Sequence, residues 1–157
     1  MILTVLRYNF VMDKDPEVHF QRVKNRLQAG RSVLVDLHDR GDWTTWDIKD
    51  TRPDLEQTTL SPPRAEDPFF VATDERDPET LRKFAGGGAV FMSDLLTTED
   101  RQAFGWPLMI TDVLAIVEQQ LLVRSSYFYG QCMSSFSGAI MNMRAGHGAD
   151  PRTTFLD

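Results

Sequence analysis

Cysteine and basic residues are scarce in this chain, and each scarcity excludes a class of function. One cysteine, Cys132, occurs among 157 residues, which excludes an internal disulfide framework and any zinc site built from several cysteines. Seventeen lysines and arginines stand against 23 aspartates and glutamates, for a formal net charge of −6. Because such a chain is repelled by a polyanion, we expect no sequence-independent nucleic-acid binding.

Long apolar segments and closely spaced metal ligands are also lacking. No stretch approaches the roughly 18 apolar residues of a membrane-spanning helix, and the apolar N-terminus contains Arg7 and no small-residue cleavage site. We therefore expect no membrane span and no secretory signal, and a cytoplasmic or organellar location. His19, His38 and His147 do not have the spacing of metal ligands, so we predict no metal site.

The remaining composition is that of one globular domain over residues 1–157, with 41% hydrophobic and 25% charged residues. Short runs rich in β-branched and aromatic residues predict strands, at residues 2–6, 32–37, 69–73, 89–92 and 127–129. Capping signals and apolar spacing predict helices between them, from residue 16 to a stop at Gly30, and at 78–86, 111–123 and 137–144. This alternation indicates the α/β class, as a single Rossmann-like domain with a mainly parallel sheet.

A polar segment follows the predicted strand at residues 32–37. Residues 38–67 contain three prolines and are predicted to form a long loop or interaction arm. Arg40 lies near the start of this segment, where ligands bind at the carboxyl ends of strands, and its guanidinium suits a phosphate group. The alternative is a charged turn in which Arg40 pairs with Asp39 or Asp42.

A second candidate site follows the predicted strand at residues 127–129. A glycine and several small hydroxyl residues lead directly into a helix, whose N-terminal N–H groups can bind a phosphate with help from Ser134 and Ser135. The alternative is that serine simply caps the helix. We expect the lone Cys132 in this segment to be a small buried residue.

Glu118 is a third candidate. It is the only charged residue between Asp112 and Arg124, and a helical wheel places it at the edge of an apolar stripe, beside Leu114 and Leu122. A carboxylate in that position either extends to solvent or accepts hydrogen bonds from a bound molecule.

The second half of the chain resembles the C-terminal domain of the GDP-fucose protein O-fucosyltransferases, most closely the branch that acts on thrombospondin-type repeats. The resemblance extends from about Phe69 to Phe155, and short stretches carry it: 70–74, 115–119, 128–130, 134–137, Arg144 and 150–154.

The resemblance implies one half of a GT-B glycosyltransferase with a nucleotide site. In the family, the turn matching Ser134, Ser135 and Phe136 holds the GDP diphosphate, and the acidic residue matching Glu118 helps to bind the nucleotide. Asp74 belongs to the shared motif at a strand end. The implied ligand is GDP or GDP-fucose, with no metal or other cofactor required.

The first half of the chain departs from the family pattern. The family has a strand ending in His-Leu-Arg, whose arginine contacts the donor phosphate and is important for catalysis. Aligning residues 41–43 with the residues that follow in the family places Leu37 at the histidine position and Asp39 at the arginine position. Arg40, one residue later, is then the candidate catalytic residue.

Family enzymes also have two Rossmann-like domains, whereas 157 residues accommodate one. We therefore expect a catalytically degenerate O-fucosyltransferase-like domain that serves as an accessory or structural subunit of a larger assembly, with protein partners. Two alternatives stay open. One is an inverting GDP-fucose-dependent transferase that modifies Ser or Thr hydroxyls. The other is a remnant that binds GDP without transferring fucose.

Overall fold

A parallel β-sheet lies at the centre of the structure, a computed structural model that describes residues 2–6, 16–42 and 62–157. The strands of the described residues are β1 Ile2–Leu6, β2 Phe69–Thr73, β3 Ala89–Val90, β4 Tyr127–Gly130 and β5 Thr154–Leu156. Their order in the sheet is β3-β2-β1-β4-β5, and every neighbouring pair is parallel. The prediction of an α/β chain with a parallel sheet is therefore confirmed.

Helices cover both faces of this sheet. They are α1 Pro16–Asp39, α2 Pro78–Gly86, α3 Met92–Leu95, α4 Thr98–Phe104, α5 Thr111–Val123 and α6 Ser135–Gly146, with 3₁₀ turns at Trp106–Met109 and Pro151–Thr153. No helix among the described residues has both the length and the apolar character needed to cross a membrane.

The side chains of β2 and β4 alternate between two apolar cores, as the pleat of a strand requires. Phe69 and Tyr127 point to the core under α1 and α2, whereas Phe70 and Phe128 point to the core under α5 and α6. Because both faces of each strand are buried, these strands read as continuous apolar runs in the sequence.

The predicted strand at residues 32–37 is wrong, because α1 continues without a break to Asp39. Buried positions recur along α1 at helical spacing, at residues 20, 23, 27, 30, 34 and 37. Gly30 does not stop the helix. A Cβ at this position would lie 2.6 Å from the ring of Tyr127, so glycine lets α1 pack closely on the sheet.

The other predicted elements agree more closely with the structure. The strands at 2–6 and 69–73 and the helices at 78–86 and 111–123 have the predicted bounds. The strand predicted at 89–92 ends at Val90, because Met92 already begins α3. The last helix starts two residues earlier than predicted, since Ser134 is its N-cap. Of the predicted loop at 38–67, residues 38 and 39 belong to α1, and residues 43–61 lie outside the described residues.

Candidate functional site

The loop between β4 and α6 lies where the order of strands reverses. From β1 the chain adds β2 and β3 on one side of the sheet, and then returns to add β4 on the other side. In sheets of this kind a crevice opens at the carboxyl ends of the two strands on either side of the reversal, here β1 and β4. The predicted phosphate-binding segment, residues 130–135, follows the carboxyl end of β4.

The two serines of this segment have different surroundings. Ser134 is buried and caps α6, since its Oγ accepts a hydrogen bond from the Ser137 N–H at 3.3 Å. Ser135 is exposed at the first helical position, and its hydroxyl has no hydrogen-bond partner within the described part of the chain. The capping alternative therefore holds for Ser134, while the N–H groups at the start of α6 and the Ser135 hydroxyl are placed to meet an anion.

The backbone of this segment is held from both sides, by Ser137 and by Asp157, of which sequence reasoning missed the second. The Gln131 N–H donates to Ser137 Oγ at 3.2 Å, and the Cys132 N–H donates to the Asp157 carbonyl at 2.9 Å. A Cβ on Gly130 would lie 2.8 Å from Ser137 Oγ, so the strand end and the helix start touch. Such close packing preorganises the segment.

Cys132 is exposed, which corrects the expectation that it is buried. Phe136, by contrast, packs in the core with Phe70 and Phe128. Its aromatic side chain therefore anchors the first turn of α6 to the sheet, and the backbone rather than the ring is what this residue can offer a ligand.

Glu118 lies on the face of α5 that packs on the rest of the protein. Its neighbours one turn away are Leu114, Ala115, Leu121 and Leu122. Leu122 belongs to the core between the sheet and α6, and the other three are partly buried and pack against this core. Burial raises the pKa of Glu118 from 4.5 to about 7. Among the described residues no side chain donates a hydrogen bond to its carboxylate or pairs with it. It is thus a half-buried acceptor that the fold leaves unused.

Asp74 follows the carboxyl end of β2 directly and is exposed. Because β2 and β4 are both neighbours of β1, Asp74 and the segment at 130–135 lie at the same edge of the sheet. Two strand spacings separate them, roughly 10 Å.

Arg40 lies at the opposite edge, and this corrects the prediction that it follows a strand. It is the residue after α1, and its Nη2 lies 2.8 Å from the Asp36 carboxylate. Asp36 also lies 3.6 Å from the guanidinium of Arg152, just before β5 begins. Both contacts place Arg40 at the amino edge of the sheet. The structure therefore brings Ser134, Ser135 and Asp74 to one edge and does not bring Arg40 there.

Two described cations reach the carboxyl edge from the first half of α1. Arg26 Nη2 lies 3.5 Å and Arg22 Nη1 4.0 Å from the Asp157 carboxylate, which also accepts a hydrogen bond from the Tyr129 hydroxyl at 3.0 Å. Sequence reasoning missed them because more than 100 positions separate α1 from Asp157. Their spacing of one helical turn was the only local signal.

Arg144, one of the residues that carry the resemblance, is buried away from this edge. Its guanidinium donates to the Ser125 carbonyl at 2.6 Å and to Ser125 Oγ at 3.0 Å. It also donates to Thr153 Oγ1 at 2.9 Å and to Thr154 Oγ1 at 2.8 Å. Arg144 therefore ties α6 to the end of α5 and to the start of β5, and its role is structural.

Comparison of the chain with protein-family models and with curated proteins found no match. Within the described residues, no group of three or more His, Cys, Asp or Glu side chains is placed to hold a metal ion.

Proposed function

We propose that this chain is an O-fucosyltransferase-like domain, one Rossmann-like half of a GT-B architecture. It binds GDP but does not transfer fucose, and it serves as an accessory subunit of a larger assembly. The observation that carries the proposal is the separation of the two predicted functions. Ser134, Ser135 and Asp74 lie at the carboxyl edge of the sheet, while Arg40 is ion-paired at the amino edge.

The strand order supports nucleotide binding. The order β3-β2-β1-β4-β5 is the order of doubly wound sheets that bind nucleotides where the strand order reverses. In this chain the reversal falls between β1 and β4, next to the N-terminus of α6. A diphosphate there would accept hydrogen bonds from the first N–H groups of α6 and from the Ser135 hydroxyl.

The position of Glu118 suits the base of the same nucleotide. α5 and α6 lie side by side, since the Gln120 amide is 3.9 Å from the sulfur of Met143. Glu118 is seven residues after the start of α5, roughly 10 Å along the helix axis, which a nucleoside diphosphate can span. A carboxylate can accept from both the ring N–H and the amino group of guanine.

The residue at the family's arginine position argues against transfer. Departure of a diphosphate requires donors that stabilise its growing charge, and the family's arginine position is Asp39 in this chain. Arg40 is at the far end of α1, a helix of 24 residues and therefore roughly 36 Å long. Arg22 and Arg26, which do reach this edge, are paired with Asp157.

Titration calorimetry with GDP tests the binding half of the proposal. We expect saturable binding that Ser135→Trp abolishes, because the indole would fill the space over the first turn of α6. Glu118→Gln should weaken the binding about tenfold, which corresponds to about 1.4 kcal/mol, the worth of a hydrogen bond to a charged group. Ser32→Trp and Glu99→Gln, at exposed positions of α1 and α4, are the matched controls and should bind GDP normally.

Incubation with GDP-fucose and a folded acceptor domain tests the catalytic half. We expect no transfer of fucose to Ser or Thr, even at high protein concentration. Fucosylation that depends on this chain would show that it is an active transferase. A flat calorimetric trace with GDP would show instead that the domain is purely structural.

A further inference from the structure

Exposed apolar side chains concentrate in one part of the described surface. Of the eleven large apolar residues that are exposed there, six lie between residues 104 and 117: Phe104, Trp106, Met109, Ile110, Ile116 and Val117. We call this surface, from the end of α4 through the 3₁₀ turn to the first half of α5, the apolar elbow. The 3₁₀ turn lies against both α4 and α5, so the six side chains come from adjoining elements.

Two side chains of the elbow are highly exposed. Trp106 is 73% exposed and Met109 is 86% exposed, which means that neither side chain contributes to the core of this domain. Isolated exposed apolar residues are ordinary, but a contiguous group of this size with an aromatic centre is typical of protein contact surfaces.

The backbone presents these side chains in a fixed arrangement. Gly105 has φ 60° and ψ −141°, a conformation that side-chain-bearing residues rarely adopt, and it turns the chain between Phe104 and Trp106. Pro107 follows at the start of the 3₁₀ turn and fixes its own φ. A rigid surface loses little conformational freedom when it binds, so the elbow is preorganised for a partner.

Charge selects the kind of partner. From residue 99 to residue 117 there are three acidic side chains, at Glu99, Asp100 and Asp112, and one basic side chain, at Arg101. The guanidinium of Arg101 donates to the Ser93 carbonyl at 3.1 Å. Asp112 is exposed within the elbow itself, between Ile110 and Val113. The apolar surface therefore has an acidic border.

This border argues against two occupants. A second copy of the chain would bring the same acidic border against the first, and like charges across an interface oppose association. An anionic membrane surface would be repelled in the same way. A partner with basic side chains around an apolar face is attracted both by the apolar surface of the elbow and by its acidic border.

The geometry points to the apolar elbow as a docking surface for another protein, through an amphipathic segment whose apolar face is bordered by lysine and arginine. Trp106 and Met109 insert between the apolar side chains of that segment, and the acidic residues pair with its basic border. This inference rests on the proposed role as an accessory subunit, and it identifies the surface and the chemistry of the partner.

The test uses two synthetic amphipathic helical peptides of equal length with the same leucine face. One carries lysine and the other glutamate on its polar face, and binding is followed by fluorescence anisotropy of the labelled peptide. We expect the lysine peptide to bind at least tenfold more tightly than the glutamate peptide, with an affinity that falls as salt is added. Trp106→Ala combined with Met109→Ala should weaken this binding at least tenfold.

Met133→Ala combined with Met141→Ala is the matched control, since both methionines are exposed outside the elbow. This variant should bind the lysine peptide as the parent chain does. Asp112→Lys should reduce the preference for the lysine peptide without loss of fold, as checked by circular dichroism.

Four outcomes would overturn the inference. The first is equal affinity for the two peptides, and the second is peptide binding that the Trp106 and Met109 substitutions leave unchanged. The third is binding to phosphatidylcholine or phosphatidylglycerol vesicles, and the fourth is self-association in sedimentation. Either of these last two would count if the same double substitution abolished it. GDP binding is measured separately at the other site, so failure of the elbow and failure of the nucleotide proposal are distinguishable.

Discussion

Two charged side chains in the layer formed by α5 and α6 have opposite surroundings. The Arg144 guanidinium is 1% exposed, and the fold supplies acceptors for all three of its nitrogens. The Glu118 carboxylate is half-buried, and no described residue donates to it. The fold is therefore built around the cation and leaves the anion unsatisfied.

The difference lies in what compensates each charge. Arg144 Nη1 binds carbonyls at the end of α5, at Leu122, Val123 and Ser125, where the negative end of the helix dipole favours a cation. Burial lowers the pKa of Arg144 to about 10, so the residue stays charged at neutral pH. Glu118 has no comparable compensation and lowers the stability of the fold. A polar group that is kept at a cost to stability is typical of a binding site.

The largest expected effect follows from removal of the cation. Arg144→Met should lower the free energy of unfolding by about 3–5 kcal/mol, because several buried carbonyl and hydroxyl groups lose their donor. Urea unfolding at pH 7 measures the change. Arg124→Met is the matched control, since Arg124 is exposed and bonds within its own helix, and it should change the stability by less than about 0.5 kcal/mol. A small loss for Arg144→Met would mean that the residue is not a structural tie.

Removal of the Glu118 charge should have a smaller effect on the free energy of unfolding, of opposite sign. The folded protein holds the Glu118 proton up to a pKa of about 7, whereas the ordinary value is 4.5. Glu118 therefore makes a contribution to stability that is lost as the pH rises from 4.5 through 7, and this loss is absent from the glutamine variant. Glu118→Gln should raise the free energy of unfolding at pH 8 by about 1–2 kcal/mol, with allowance for residual solvent contact, and leave it unchanged at pH 4.

The stability and the GDP affinity of Glu118→Gln should be measured on the same protein and compared with those of the parent chain. A variant that is more stable and binds GDP less tightly would show that stability is sacrificed for binding at Glu118. Equal stability of the two proteins at pH 8 would contradict the desolvation of the carboxylate.

The smallest expected effect tests how much of the stabilisation by Arg144 comes from its hydrogen bond to Thr154. Thr154→Val removes the hydroxyl that accepts from Arg144 Nε at 2.8 Å, and it should lower the free energy of unfolding by about 1 kcal/mol. In the Arg144→Met background the same substitution should be nearly neutral, because the donor is already absent. Additive losses in a double-mutant cycle would show that Thr154 acts independently of Arg144.

Local patterns predicted most of the secondary structure. The buried strands at 69–73 and 127–129 and the capped helix at 78–86 were found because their signals are short-range. The error at 32–37 arose because an apolar run of that length fits a strand or a buried helix equally well. The packing of α1 on the sheet, with Gly30 against Tyr127 almost 100 residues away, distinguishes the two.

The candidate site was predictable in part for the same reason. Ser134 and Ser135 were identified from a strand, a glycine and a helix start in one segment, all of which are local. The position of Arg40 was not, because it depended on whether residues 32–37 form a strand. A strand there would have ended at the carboxyl edge, whereas the helix ends at the amino edge.

The sequence by itself determined the fold class of the protein and the kinds of side chain available to a site. Alternating apolar runs and capping residues specify parallel strands joined by helices, and composition specifies an acidic chain with one cysteine. Tertiary structure alone decided which polar groups meet. It joined Asp157 to Arg22 and Arg26 and surrounded Arg144 with acceptors. Among the described residues it left Glu118 without donors. These contacts depend on the order and direction of distant strands and helices.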